Sequence, residues 1–150
     1  MKKPLLLFLA LVASTVFAAG DIDFLSPACT ITSSICHNKY PARNAFNNDI
    51  STDAGRWLAN VQQETPAYVE MTFTDGSTYR PTSYTIISSP NKSYGKKRAP
   101  KAFSLQGSMD GIAWTVLDSQ TDQTGWGTKE VRTFSVSSPA ANPKKEHPKN

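Results

Sequence analysis

Two histidines and two cysteines are all that this chain of 150 residues holds, and that scarcity excludes most site chemistry at once. His147 falls in a tail rich in Pro and Lys, and His37 sits beside Cys36, so no set has the spacing of a zinc site. There is no nucleophile elbow and no Gly-rich phosphate loop. Carboxylates are present, but Asp110 is accounted for by the turn it sits in. The inventory is that of a protein without catalytic machinery. Long apolar helical periodicity is missing as well, which argues against a helical bundle. A one-sided charge is also lacking: from Ala19 to Pro139 there are eleven Lys or Arg against eleven Asp or Glu. The formal net charge of +4 comes from Lys2 and Lys3 at one end and Lys144, Lys145 and Lys149 against Glu146 at the other. No nucleic-acid footprint follows from such a balance.

What is there begins with an export pattern. Met1-Lys2-Lys3 is basic, Leu5 to Val12 is apolar, and Val16-Phe17-Ala18 supplies small residues for cleavage after Ala18. This reads as a secretory signal peptide over residues 1–18, too short to cross a membrane as a helix. The mature chain is then expected outside the cytoplasm, secreted or periplasmic, with no transmembrane segment. Cys29 lies too far past the apolar run to be a lipoprotein anchor. In an oxidising compartment the only two cysteines, Cys29 and Cys36, read first as a disulfide and second as free thiols. Residues 19–138 make one domain, and residues 139–150 have no face to bury and are expected to be disordered.

Short alternating runs fill the domain. Val69, Met71 and Phe73 share one face, Tyr84 and Ile86 another, and Phe134 and Val136 a third. Phe103, Leu105 and Gly107 alternate with Ser104, Gln106 and Ser108, and Asp110-Gly111 supplies the turn that sends the chain back through Trp114 and Val116. Pro100 marks the strand's entrance because it has no backbone donor. Pro41 to Phe46 is compatible with one helical turn. Short strands punctuated by Gly, Pro and Asp predict an antiparallel β-sandwich or barrel.

The run Arg98-x-Pro100-x-x-Phe103-x-Leu105-x-Gly107-Ser108-x-Asp110-Gly111-x-x-Trp114 resembles the discoidin, or coagulation factor 5/8 type C, domains, relatives of the galactose-binding-like sandwiches. Three further stretches resemble the family's markers: Tyr40 to Asp49 followed by Thr52 and Trp57, Thr82 to Ile86, and Trp126 with Glu130, Arg132 and Phe134. Together they span about residues 30–136. The resemblance implies an all-β, jelly-roll-like sandwich that binds sugars, lipid head groups or proteins without catalysis. The family's closing strands, a Tyr-Arg-Leu type and one with a late Glu, find no counterpart here, so a C-terminally shortened sandwich is expected.

Candidate site residues follow. Sugar recognition needs an aromatic face and planar hydrogen-bonding groups, which the loops offer in Asn91, Tyr94, Lys97, Arg98 and Trp126. For Trp126, two flanking glycines suggest an exposed tip, while packing into the core is the alternative. Arg98 has a structural alternative too, holding the loop before Pro100. Trp57 and Trp114 are expected in the core. The resemblance also implies a structural calcium site at Asn47, Asp49 and Thr52. With Asn47 in place of an Asp and the late Glu absent, binding would be weak, and a loop satisfied by its own hydrogen bonds is the alternative. No cofactor is otherwise required. The expected partner is a glycan or cell-surface carbohydrate, with an extracellular protein second and a degraded fragment without ligand as the third reading.

Overall fold

The computed structural model describes residues 6–12, 29–34, 36–47, 49–59, 66–74 and 81–136. The cleavage position after Ala18, the Asp75-Gly76 turn and the tail from Pro139 lie outside the described residues. Among the described residues seven strands form two sheets. Six of them are β1 (Leu6–Val12), β2 (Cys29–Ser33), β3 (Ala67–Phe73), β4 (Ser83–Ile87), β5 (Ala102–Ser108) and β6 (Thr115–Gln120); β7 is Val131–Ser135. The larger sheet has the order β2-β3-β1-β5-β6, and β4 pairs with β7 in the smaller one. Pairings between β2 and β3, β4 and β7, and β5 and β6 are antiparallel. This is the all-β, antiparallel sandwich that the short alternating runs predict.

The core follows the period-two pattern. Ala67, Val69 and Met71 of β3 are buried, as are Phe103 and Leu105 of β5. Three rings from both sheets close the gap. Phe103 meets Phe134 of β7 edge-on with centroids 5.1 Å apart. Tyr84 of β4 stacks on Phe134 at 5.3 Å and meets Phe103 edge-on at 6.2 Å. These separations are those of favourable aromatic pairs. The Tyr84 hydroxyl then donates to Asp118 Oδ2 of β6 at 2.6 Å, so a hydrogen bond also links the sheets. Burial, followed by the hydrogen bond and charge of Asp118, raises the Tyr84 pKa far above the usual phenol range. Burial pushes the Asp118 carboxyl up, but hydrogen bonds from Tyr84, Gln120 and Ser119 outweigh it and leave its pKa lowered.

Leu6–Val12, read above as the core of a leader, forms a strand between β3 and β5, parallel to both. An unbroken apolar run suits a strand with neighbours on both edges. Cys29 and Cys36 are not joined by a disulfide. Val116 is 56% exposed. A bulge shifts the β5–β6 register, so Leu105 faces Asp118 but Gln106 faces Val116. The extra residue moves Val116 onto the polar row.

The turn between β5 and β6 is longer than a two-residue hairpin, running from Met109 to Trp114. Gly111 takes the left-handed conformation at φ +72°, as turn chemistry requires. Asp110 Oδ1 accepts from the amides of Ile112 at 2.8 Å and Ala113 at 2.9 Å. The turn's role for Asp110 is as read from the sequence.

Phe103→Ala should lower unfolding free energy by about 3–5 kcal/mol, and Tyr84→Phe by about 1 kcal/mol, in denaturant titrations. The Tyr84→Phe loss should shrink in acid. Asp118, depressed in the fold, contributes stability above the unfolded carboxylate value of about 4, and that is lost as pH falls through its folded pKa. In alkali the sign reverses. Stability should fall above about pH 10, where tyrosine ionises in the unfolded chain but not at Tyr84.

Candidate functional site

Three loops meet at the end of the sandwich where β4 finishes and β5 and β7 begin. They are residues 47–56, 88–101 and 121–130. Ser88 is their pivot and is buried. Its hydroxyl donates to the Gly127 carbonyl at 2.8 Å and accepts from the Glu130 amide at 2.8 Å. The Ser89 hydroxyl donates to Asp53 Oδ1 at 3.4 Å and accepts from the Asn91 amide at 3.1 Å. Lys129 Nζ lies 3.5 Å from the Ser51 carbonyl. The loops are therefore cross-linked by short polar side chains, which leaves little freedom at their bases.

The 88–101 loop carries four of the five expected sugar-binding residues. Asn91 Oδ1 accepts from the amides of Ser93 at 3.0 Å and Tyr94 at 2.9 Å, an Asx turn that opens the helical turn α1, Gly95–Arg98. So short a helix leaves no periodic sign in the residues. A Cβ at Gly95 would fall on the Ser89 carbonyl oxygen, so only glycine lets the turn close. Tyr94 is 50% exposed, and the Arg98 guanidinium stands 4.3 Å over its ring. Lys92, Lys96, Lys97 and Arg98 are all exposed. No acidic residue occurs between Ser88 and Lys101.

Trp126 is the exception and a correction. It is 4% exposed, and its Nε1 donates to the carbonyls of Gln123 at 2.9 Å and Pro100 at 3.1 Å. Arg132 covers the ring at 4.0 Å. Gly125, at φ +70°, turns the chain so that the indole enters the protein. The glycine that suggested an exposed tip is what permits burial. Trp57 and Trp114, expected in the core, are half-buried.

Arg132 and Glu130 hold the third loop, and sequence reading did not find them as a unit. Arg132 donates to Glu130 Oε1 at 2.6 Å, Gln123 Oε1 at 3.1 Å and the Thr124 carbonyl at 3.0 Å. The Gly127 amide, then Arg132, lower the Glu130 pKa. In the sequence the two stand together only within the family-like stretch of Trp126, Glu130, Arg132 and Phe134.

Asn47, Asp49 and Thr52 do come together. Asn47 Oδ1 accepts from the Asp49 amide at 2.9 Å. Asp49 Oδ1 accepts from the amides of Ser51 and Thr52 and from the Ser51 hydroxyl, all at 2.9–3.1 Å. Its Oδ2 accepts from the Thr52 hydroxyl at 2.5 Å, and Thr52 Oγ1 accepts from the Gly55 amide at 3.2 Å. These bonds, led by the Thr52 hydroxyl, lower the Asp49 pKa to about 2. Every side-chain acceptor of the trio is engaged inside the loop, and the Lys129 ammonium leans on its Ser51 carbonyl. A calcium ion, which takes six to eight oxygen ligands, would have to displace these hydrogen bonds to use the trio. Among the described residues no group of three or more His, Cys, Asp or Glu is placed to hold a metal.

A groove lined by Ile31, Thr32, Cys36 and Ala42 contains none of the expected sugar-binding residues. Among the described residues no helix is long and apolar enough to cross a membrane. A family model, the F5/8 type C domain, matches residues 30–142. Neither the curated proteins nor the solved structures contain a match.

Two outcomes follow from this geometry. Trp126→Ala should destabilise the fold by about 3–5 kcal/mol, and Trp114→Ala by clearly less, in thermal melts followed by circular dichroism. In NMR titration the Asp49 carboxyl should show a midpoint near 2. Thr52→Val should move it up toward the ordinary carboxylate value, since the largest cause of the depression is removed.

Proposed function

Because the chain belongs to the F5/8 type C domain family, a family of discoidin-type binding modules, we propose that it is an exported, non-catalytic module that binds an acidic carbohydrate. The loop 88–98 is its contact surface. The observation that carries this reading is Tyr94, half-exposed beside four exposed cations on a loop without a carboxylate. A tyrosine face suits the C–H edge of a sugar ring. Arg98, Lys97 and Lys96 supply donors for carboxylate or sulfate groups, Arg98 with a planar fork.

The sandwich positions this surface without touching the ligand. Asn91 spends its side-chain carbonyl on the turn, so it shapes the loop and contributes to binding through its amide nitrogen. Trp126 acts from beneath, by fixing Pro100 and the base of α1. The 47–56 loop keeps its form through Asp49 and needs no ion in this reading. Export rests on the basic-apolar-small pattern of residues 1–18.

Isothermal titration with acidic and neutral oligosaccharides of matched length tests the proposal. Acidic sugars should bind, and added salt should weaken them by screening. Lys97→Glu and Tyr94→Ala should each reduce affinity by about tenfold or more, about 1.4 kcal/mol, with melting temperatures unchanged. No retained sugar at millimolar concentration would instead favour an extracellular protein as the partner of the same loop.

A further inference from the structure

Lys129 stands in a backbone conformation that its own side chain does not favour. The 121–130 loop holds three residues with positive φ: Asp122 at 54°, Gly125 at 70° and Lys129 at 56°. Glycine and aspartate enter this left-handed region readily, whereas lysine does so rarely. Strain of this kind persists where the surroundings impose it, and it gathers at ligand sites. The Lys129 amide donates to the Ser89 carbonyl at 3.5 Å. Gly95, the first residue of α1, lies against that same carbonyl oxygen. Lys129 and the cationic turn thus leave the protein from one point.

We propose that Lys129 is a second cationic contact beside α1, so that the ligand carries at least two acidic groups. One is met by Lys96, Lys97 and Arg98, the other by Lys129. The proposal rests on the acidic-carbohydrate reading above and narrows it to a multiply acidic chain. Lys129 is exposed, and its ammonium has no carboxylate partner among the described residues. Most carboxylates of the adjoining loops are committed elsewhere. Asp53 pairs with Arg56, Glu130 with Arg132 and the Gly127 amide, and Asp49 with Ser51 and Thr52. Asp122 stands at the start of the loop that Lys129 ends. The Nζ contact with the Ser51 carbonyl is 3.5 Å long and open to solvent. An ammonium has three donors, so it can take up an oxyanion without breaking a tight bond.

Placement, more than sign, makes the pair selective. Lys96, Lys97 and Arg98 share one helical turn and converge on one acidic group. Lys129 belongs to another loop and reaches toward a third, at Ser51. A single acidic group held at α1 gains little from a cation displaced from it in water. A second acidic group further along the chain meets Lys129 directly. Once one contact is made, the other forms within the same complex, and the two together exceed either alone. The bases of the loops are fixed by Ser88 and Ser89, so this spacing is built in before the ligand arrives. Glycine at position 129 would hold the same backbone with more ease. What lysine adds there is its ammonium.

The full chain is titrated calorimetrically with two oligosaccharides of matched length. One carries a single uronic acid at its end, and the other is uronic acid throughout. Wild type should bind the multiply acidic chain more tightly by about tenfold or more. Lys129→Gly should cut that preference to the few-fold expected of repeated single sites. It should keep the affinity for the singly acidic chain and flatten the salt dependence of the other. It should also melt no lower than wild type, because glycine accepts a φ of 56° freely. Lys129→Arg should keep the preference, since it returns the cation. If neither chain binds wild type, the acidic-carbohydrate reading falls and takes this proposal with it. If both bind wild type equally, or Lys129→Gly binds both as wild type does, the two-point contact alone is overturned. A Lys129→Gly protein that melts lower and loses both ligands alike would assign Lys129 to the scaffold and overturn it too.

Discussion

The contact of Tyr84, Phe103 and Phe134 across the sandwich is the constraint on which the rest depends. A two-stranded sheet such as β4–β7 is marginal in water by itself, and these rings fix it to the larger one. The hydrogen bond from Tyr84 to Asp118 then sets the lateral position of the two sheets. Because β4 ends at Ile87 and β7 starts at Val131, fixing this pair also fixes the bases of the 88–101 and 121–130 loops. The position of the candidate surface is thus a consequence of three aromatic side chains at the other side of the chain's turns.

The loop end is rigid for a second reason. Ser88, Asp53, Glu130 and Arg132 satisfy backbone and side-chain groups that would otherwise be orphaned at the rim. Paired buried polar groups stabilise little in net terms, but leaving one unpaired is costly. The network therefore acts as a shape-specifying device. It leaves Tyr94 and the cations of α1 facing solvent while their supports are committed inward. A pre-shaped surface binds with less ordering cost than a mobile loop.

Much of this was legible in the residues. Alternation at Val69, Met71, Phe103 and Leu105 gave the core, Asp110-Gly111 the turn, and the ordered motifs the family. What escaped the sequence has physical reasons. A glycine needed for a positive φ looks the same whether it exposes its neighbour or turns it inward, and at Trp126 it turned it inward. One bulged residue in β6 sets the face of Val116, which local alternation cannot register. The self-contained hydrogen bonding of Asp49 depended on loop geometry that composition leaves open.

The central claim is that a rigid three-loop end, with Tyr94 at its edge, is the binding surface of this F5/8 type C domain. Amide chemical shifts recorded while an acidic oligosaccharide is added test it most directly. The account requires saturable shifts confined to residues 47–56, 88–101 and 121–130, largest around Tyr94 to Arg98. Shifts centred on the far turn, where Met109 and Ile112 are exposed, or spread along β2 and β3, would contradict it.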